Sequence, residues 1–212
     1  AHPANFLLMT CVGMSDPGMI VLPTHRLFRG LAPISSQQLS SRLGDCFTTS
    51  RVGTGSGLAP EVWEQIESVE DQGTFGFYTR ADNTWLLARL TDVGRHKMSQ
   101  AANQQSQVWQ GLGVSILHRL VIQHLLQEKD LPKPLYLHDV AEVGPALDRP
   151  DAAVRDATGQ EGSGGRFEMA CLLKPATLQH VRSISQRGER MPAKSTYFYP
   201  KLLSGLVINP LS

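Results

Sequence analysis

The stretch TFGFYTRADNTWLLARL, residues 74–90, decides the fold class. Two runs rich in Thr, Phe, Tyr, Trp and Leu flank Ala81-Asp82-Asn83. Strand-forming residues on both sides of a short polar turn predict a β-hairpin, and a hairpin makes its sheet antiparallel at that point. Upstream, Pro60 suits a first helical position, and Val62, Trp63, Ile66 and Val69 then share one face, with Gly73 as the stop. GTGSG (53–57) reads as a flexible loop and Cys46 to Val52 as a short strand. Ser35 followed by Gln38 is a capping-box pattern for a helix over Ser35–Leu43. Further back, NFLLMTCV (5–12) and MIVLP (19–23) read as two strands of a hairpin closed by GMSDPG.

Downstream, Thr91 to Gln107 carries little pattern. Ser115 to Gln127 (SILHRLVIQHLLQ) has a broad apolar stripe of Ile116, Leu117, Leu120, Val121 and Leu125, which predicts a helix. KPLYLHD (133–139) and Phe167 to Leu173 read as strands, and Thr177 to Gln186 as a helix with Leu178, Val181 and Ile184 inward. Tyr197–Tyr199 and Gly205–Ile208 read as short closing strands. Asp148 to Arg166, Gly-rich at its end, is expected to be a mobile connection. The expectation is one α+β domain over residues 1–212, with a mixed, largely antiparallel sheet, hairpins and packed helices.

The 212 residues are 41% hydrophobic and 18% charged, with a formal net charge of +1. That balance suits a globular chain able to bury its own core, and it argues against a general nucleic-acid coat. Aromatic residues make up 7% of the chain, so stacking platforms for single strands are sparse and nucleic acid is an unfavoured partner. Cys11, Cys46 and Cys171 are far apart, form no Cys-x-x-Cys pair, and read as free thiols of a reducing cytoplasm. No run approaches the ~20 apolar residues of a membrane span, so no membrane role is expected.

Charge is uneven along the chain. From Arg182 to Lys201 there are five cations (Arg182, Arg187, Arg190, Lys194, Lys201) and one acid, Glu189. Among them stand Ser195, Thr196, Tyr197 and Tyr199. Cations interleaved with hydroxyls suit a phosphate or other anion, with Arg190, Lys194, Ser195, Thr196 and Lys201 as the binding groups and Tyr197 and Tyr199 as further candidates. The same pattern also suits a solvated turn leading into an edge strand. His25 and Arg26, in LPTHRL, follow a strand end. His25 could move a proton near neutral pH and Arg26 could clamp an anion, which makes them the catalytic candidates. A helix-start histidine capped by Thr24 is the alternative. His118, beside the apolar stripe of the strongest helix, is a further candidate.

No metal held by protein ligands alone is expected. His118 and His124 lie about 600° apart on a helix, and His2, His96, His138 and His180 have no second ligand at metal spacing. VGTGSGLAP lacks the Lys-Ser/Thr of a phosphate loop, and no Gly-x-Ser-x-Gly elbow occurs.

Three segments carry a resemblance: DPGMIVLPTHRL (16–27), VSILHRLVI (114–122) and GERMPAKSTYFYPKLLSGLVINP (188–210). Their order and spacing resemble the bacterial domain of unknown function family 1015. Members of that family usually carry an upstream lobe with an Asp-Gly-His-His-Arg signature, similar to those of ParB/sulfiredoxin-like nucleotide enzymes, which include serine kinases. That signature is absent here, so the chain resembles the second part of such a protein. The resemblance implies a phosphate- or nucleotide-linked enzyme, kinase- or phosphatase-like, acting on a small phosphorylated metabolite, or the second half of one working with the upstream lobe. ADP or ATP with magnesium would be the cofactor. A non-catalytic binding or structural module for a nucleic-acid backbone or a protein partner is the alternative.

Overall fold

The computed structural model describes residues 2, 5, 9, 11–149 and 165–201. In chain order these form β1 (Ile20–Leu22), β2 (His25–Phe28), α1 (Ser36–Leu43), β3 (Phe47–Thr54), α2 (Ala59–Glu67), β4 (Thr74–Thr79), β5 (Thr84–Leu90) and α3 (Asp92–Ala101). Two short helices follow, α4 (Gln107–Gln110) and α5 (Gly113–Ser115), then a π-helix (Ile116–Leu125). The remainder is β6 (Leu135–Leu137), α6 (Val143–Asp148), β7 (Met169–Leu173), α7 (Leu178–Gln186) and β8 (Tyr197–Tyr199).

The central hairpin forms as its sequence predicts. β4 and β5 pair from Thr74↔Arg89 to Thr79↔Thr84, with Asn83 in the left-handed region at φ 51°. Asp82 fixes this turn to the next layer: its carboxylate accepts from the Thr79 hydroxyl at 2.7 Å and the Ser36 backbone N–H at 3.0 Å. Around the hairpin grows a six-stranded sheet of order β3-β5-β4-β7-β2-β6, every pair antiparallel. The fold is α+β.

Because successive side chains of a strand point to opposite faces, the sheet has two apolar faces and both are covered. On one, Phe47, Phe75, Phe77, Leu86, Met169, Cys171 and Phe28 pack with α1, α3, the π-helix and Ile184 of α7. On the other, Leu27, Tyr78, Trp85, Leu87, Ala170 and Leu172 pack with Val62, Trp63 and Ile66 of α2 and with α6. At Gly76 a Cβ would lie 2.5 Å from Val62 Cγ1, so α2 rests directly on β4 only because residue 76 has no side chain. The predicted capping box is present: the Ser35 hydroxyl accepts from the Gln38 N–H, and the Gln38 side chain accepts from the Ser35 N–H.

Several local expectations are revised. β1 pairs with β8, Ile20↔Tyr199 to Leu22↔Tyr197, in a separate two-stranded ribbon. The strand expected over residues 5–12 lies largely outside the described residues, and Cys11 and Val12 are in no strand. Thr24 begins no helix, since His25–Phe28 is a strand of the main sheet. α2 ends at Glu67, before Gly73. GTGSG is ordered, its first two residues closing β3 and Ser56–Leu58 forming a 3-10 turn. Leu178 and Val181 are half-buried, and of the three expected inward residues of α7 Ile184 alone is buried. Most of the connection 148–166 and all of 205–208 lie outside the described residues. Among the described residues, no helix is long and apolar enough to cross a membrane.

Candidate functional site

β2 lies between β7 and β6, and all four of its residues are buried. Alternation divides them. His25 goes with Leu27 toward α2, where its ring meets Trp63 edge-on at 4.8 Å. Neither imidazole nitrogen has a hydrogen-bond partner among the described residues. Burial first, then the charge of Arg26 and the ring of His138, push its pKa down to about 3, so the ring is neutral. Arg26 goes with Phe28 to the opposite face. Adjacent residues of LPTHRL therefore serve different layers, and the strand does not bring His25 and Arg26 into one cleft.

Arg26 is 1% exposed. Its Nη1 donates to the Thr24 carbonyl at 2.6 Å and its Nη2 to the Lys194 carbonyl at 2.8 Å. Among the described residues Nε has no partner and no carboxylate pairs with the guanidinium. Burial lowers its pKa to about 10, with smaller opposing effects from Cys171 and Tyr136. A buried cation without an anion costs several kcal/mol after relaxation, and two carbonyl dipoles offset only part of that.

Other groups gather on the same face. Tyr136 lies opposite Arg26 in the β2–β6 register. The Arg26 guanidinium is 5.7 Å, and the Lys194 ammonium 5.6 Å, from the centroid of its ring. Lys194 itself adopts φ 55°, a left-handed conformation uncommon for a lysine, and its carbonyl reaches Arg26. His138, two residues on from Tyr136, donates Nδ1–H to the Pro23 carbonyl at 2.8 Å and stacks on Tyr197 at 3.6 Å. Lys201 caps the same tyrosine at 4.5 Å from its centroid. Burial is the largest influence on His138 and lowers its pKa, against the Pro23 carbonyl, which raises it.

Beside this cluster a cavity of about 220 Å³ opens between the π-helix and Pro192-Ala193. Its lining includes Trp109, Ser115, His118, Arg119 and Tyr136. Ser115, Arg119 and Gln123 are spaced four residues apart, within about 80° of one another at ~100° per residue, so they share one side of the helix. The segment winds as a π-helix, with an i→i+5 bond from Leu126 N–H to the Val121 carbonyl, 2.8 Å, at its end. Ser115 is 1% exposed, and its hydroxyl has no hydrogen-bond partner among the described residues. Burial, and then Arg26, push His118 down to about 4, so a neutral imidazole lines the cavity. The Arg119 Nη1 donates to Gln123 Oε1 at 3.2 Å.

The basic C-terminal stretch divides. Lys194 and Lys201 join the tyrosines of the cluster, with Ser195 buried and Thr196 half-buried between them. Tyr197 stacks in the cluster and Tyr199 is exposed at the ribbon edge. Arg190 is exposed, and its contribution here is its carbonyl, which accepts from Trp109 Nε1 at 3.1 Å. Glu189 Oε1 accepts from the Ser106 N–H at 2.6 Å, so residues 189–194 are tied across the cavity at both ends. Arg182 lies at a different, shallow cavity with Met14, Ser15 and Leu178. Among the described residues no group of three or more His, Cys, Asp or Glu side chains is placed to hold a metal ion.

A family model described as "Protein of unknown function (DUF1015)" matches residues 1–115. The chain belongs to the DUF1015 family. No curated protein and no solved structure matches it. The matched part of this DUF1015 chain ends at Ser115 and includes His25 and Arg26. His118, Tyr136 and the 189–201 stretch lie beyond it.

Sequence reasoning on this DUF1015 protein did not single out Tyr136, Ser115, Arg119 or Trp109. For Tyr136 a signal existed, because LYLH alternates and Leu135 and Leu137 bury on one face while Tyr136 and His138 take the other. For Ser115 and Arg119 the signal was their four-residue spacing, which sets both on one side of a helix.

Proposed function

We propose that this DUF1015 protein binds a small phosphorylated ligand and serves phosphoryl chemistry, as an enzyme or as the second half of one completed by an upstream lobe. The observation that carries this reading is Arg26, a fully buried guanidinium with a free Nε and no anionic partner among the described residues. A fold retains such a group at a cost, and an oxyanion brought by a ligand offsets that cost. Lys194, sharing the ring of Tyr136, and Lys201 on the ring of Tyr197 add positive charge on the same side. Phosphoryl-transfer sites work chiefly by positioning and by stabilising charge, which a preorganised set of cations and hydroxyls supplies.

In this reading the proton-moving role passes from His25, which lies on the other face against Trp63, to His118, neutral and at the cavity wall. Ser195, Thr196 and the exposed Arg190 belong to the covering segment. The reading is tested by calorimetric titration of inorganic phosphate into the full chain at low ionic strength. Wild type binds and Arg26→Met binds at least tenfold more weakly while still folded. A wild type that binds no phosphate, or a variant that binds equally well, removes the reading.

A further inference from the structure

Resting on that phosphate-site reading, we infer that Nε2 of His138 is the phosphoryl acceptor of the site, taking a phosphoryl group from a small phosphoramidate-type donor to form an N-phosphohistidine.

The position of one proton is the first argument. The Pro23 carbonyl oxygen lies 2.8 Å from His138 Nδ1 and can only accept, so Nδ1 carries the proton and Nε2 the lone pair. The Thr24 hydroxyl, 3.4 Å away, is a second oxygen beside the same nitrogen. The Tyr197 ring covers one face of the imidazole at 3.6 Å, tilted by 27°. An anchored ring atom and a covered face together fix the direction of Nε2. That atom makes no hydrogen bond to a described residue and, unlike the two nitrogens of His25, it is not buried. Three other histidines show what is missing elsewhere. His25 has both nitrogens buried. His180 Nδ1 accepts from the Thr177 N–H, which puts the proton of a neutral ring on Nε2. His96 Nε2 is already engaged by the Gln100 amide.

Charge is the second. Lys201 lies 4.5 Å from the centroid of Tyr197, the ring on which His138 stacks, and Lys194 lies 5.6 Å from the centroid of Tyr136. Burial lowers the His138 pKa most, Lys201 and Lys194 lower it further, and the Pro23 carbonyl and Glu142 oppose them without reversing the direction. A histidine nucleophile must be neutral, and a phosphoryl group in transfer needs cations at its oxygens. The two lysines serve both needs.

With phosphoramidate protonated on nitrogen the step balances. The Nε2 lone pair forms the new N–P bond, the donor's P–N bond breaks, and ammonia leaves with the donor's own protons. Nδ1 keeps its proton and its bond to Pro23, so the ring becomes cationic beside the dianionic phosphoryl group.

The test incubates the full chain with potassium phosphoramidate at neutral pH and follows it by intact mass and fragment mapping, while inorganic phosphate is titrated calorimetrically into the same preparation. A single phosphoryl group is expected on His138, stable in base and lost in acid, which separates it from esters of Ser195, Thr196 or Tyr197. His138→Gln, which keeps an N–H for the Pro23 carbonyl, is expected to label at least about tenfold more slowly, and His124→Gln, at an exposed position of the π-helix, at the wild-type rate. Fragment mapping of wild type reads the site even where His138→Gln does not fold. In a chain that binds phosphate, an acid-stable label, a label spread evenly over the exposed histidines, or no label overturns the acceptor assignment and leaves the phosphate reading standing. No label together with no phosphate binding overturns both.

Discussion

His25 and Arg26 adjoin in the chain and occupy opposite faces of the sheet. The imidazole meets Trp63 at 4.8 Å on one side, and the guanidinium lies 5.7 Å from the ring centroid of Tyr136 on the other. Strand alternation separates two groups that the sequence places together. The two residues therefore report through different measurements, His25 through acid stability and Arg26 through ligand binding.

Acid stability follows from two histidines held neutral. His25 is pushed down to about 3 and His118 to about 4, from 6.5, in both cases chiefly by burial. As pH falls through about 6.5 the unfolded chain takes up protons that the folded chain refuses. The unfolded state then binds more protons, so stability drops as pH falls, by up to about 1.4 kcal/mol per pH unit for each histidine, until the folded values are reached. His25→Leu removes one share of that slope and two unpartnered nitrogens. Urea unfolding at pH 7, 6 and 5 should show the variant with the shallower slope and the higher stability at pH 5. An unchanged slope contradicts the neutral, buried assignment of His25.

Arg26 should show a trade between stability and function. Arg26→Met removes an unpaired buried charge and two hydrogen bonds to carbonyls, and exchanging buried ions for apolar residues of similar volume is often neutral or stabilising by about 1–4 kcal/mol. The variant is expected to melt no lower than wild type. Phosphate at about 100 times its dissociation constant should stabilise wild type by about 2.7 kcal/mol and leave the variant unmoved. Thermal melts with and without phosphate read both effects.

Gly94 is required by packing. A Cβ there would collide with the Cys46 carbonyl oxygen and lie 2.6 Å from Leu90 Cδ1. The obstruction includes backbone, so α3 itself must shift. Gly94→Ala is expected to lower unfolding free energy by about 2 kcal/mol or more, against the small gain in helix propensity an alanine brings. Stability equal to wild type in urea titration contradicts this packing.

The cap of α1 is testable in the same way. Ser35→Ala removes the acceptor for the Gln38 N–H and should cost about 1 kcal/mol. A loss below a few tenths, measured by urea unfolding, would show that the helix start is held by the Ser36–Asp82 contacts instead.

The readable parts of the fold were those set by local periodicity. Residues 74–90 alternate and turn within their own span, and the Ser35–Gln38 box satisfies donors three residues apart. The β1–β8 ribbon was hidden because its partners are some 180 residues apart and nothing local selects one pairing over another. HRLF gave no alternation of polar and apolar residues, because both faces of β2 are covered, so its two candidate site residues could not be assigned to sides. The π-helix was invisible for a different reason. Its hydrogen bonds skip one further residue while the apolar stripe stays continuous.

The central claim, an oxyanion site beside Arg26, is tested most directly by a crystal of the full chain soaked in tungstate, a heavy analogue of phosphate. The account predicts an anomalous peak beside the ring of Tyr136, between the Arg26 and Arg119 guanidinium groups. A crystal whose anomalous signal lies only at outlying cations such as Arg182, with none beside Tyr136, would contradict it.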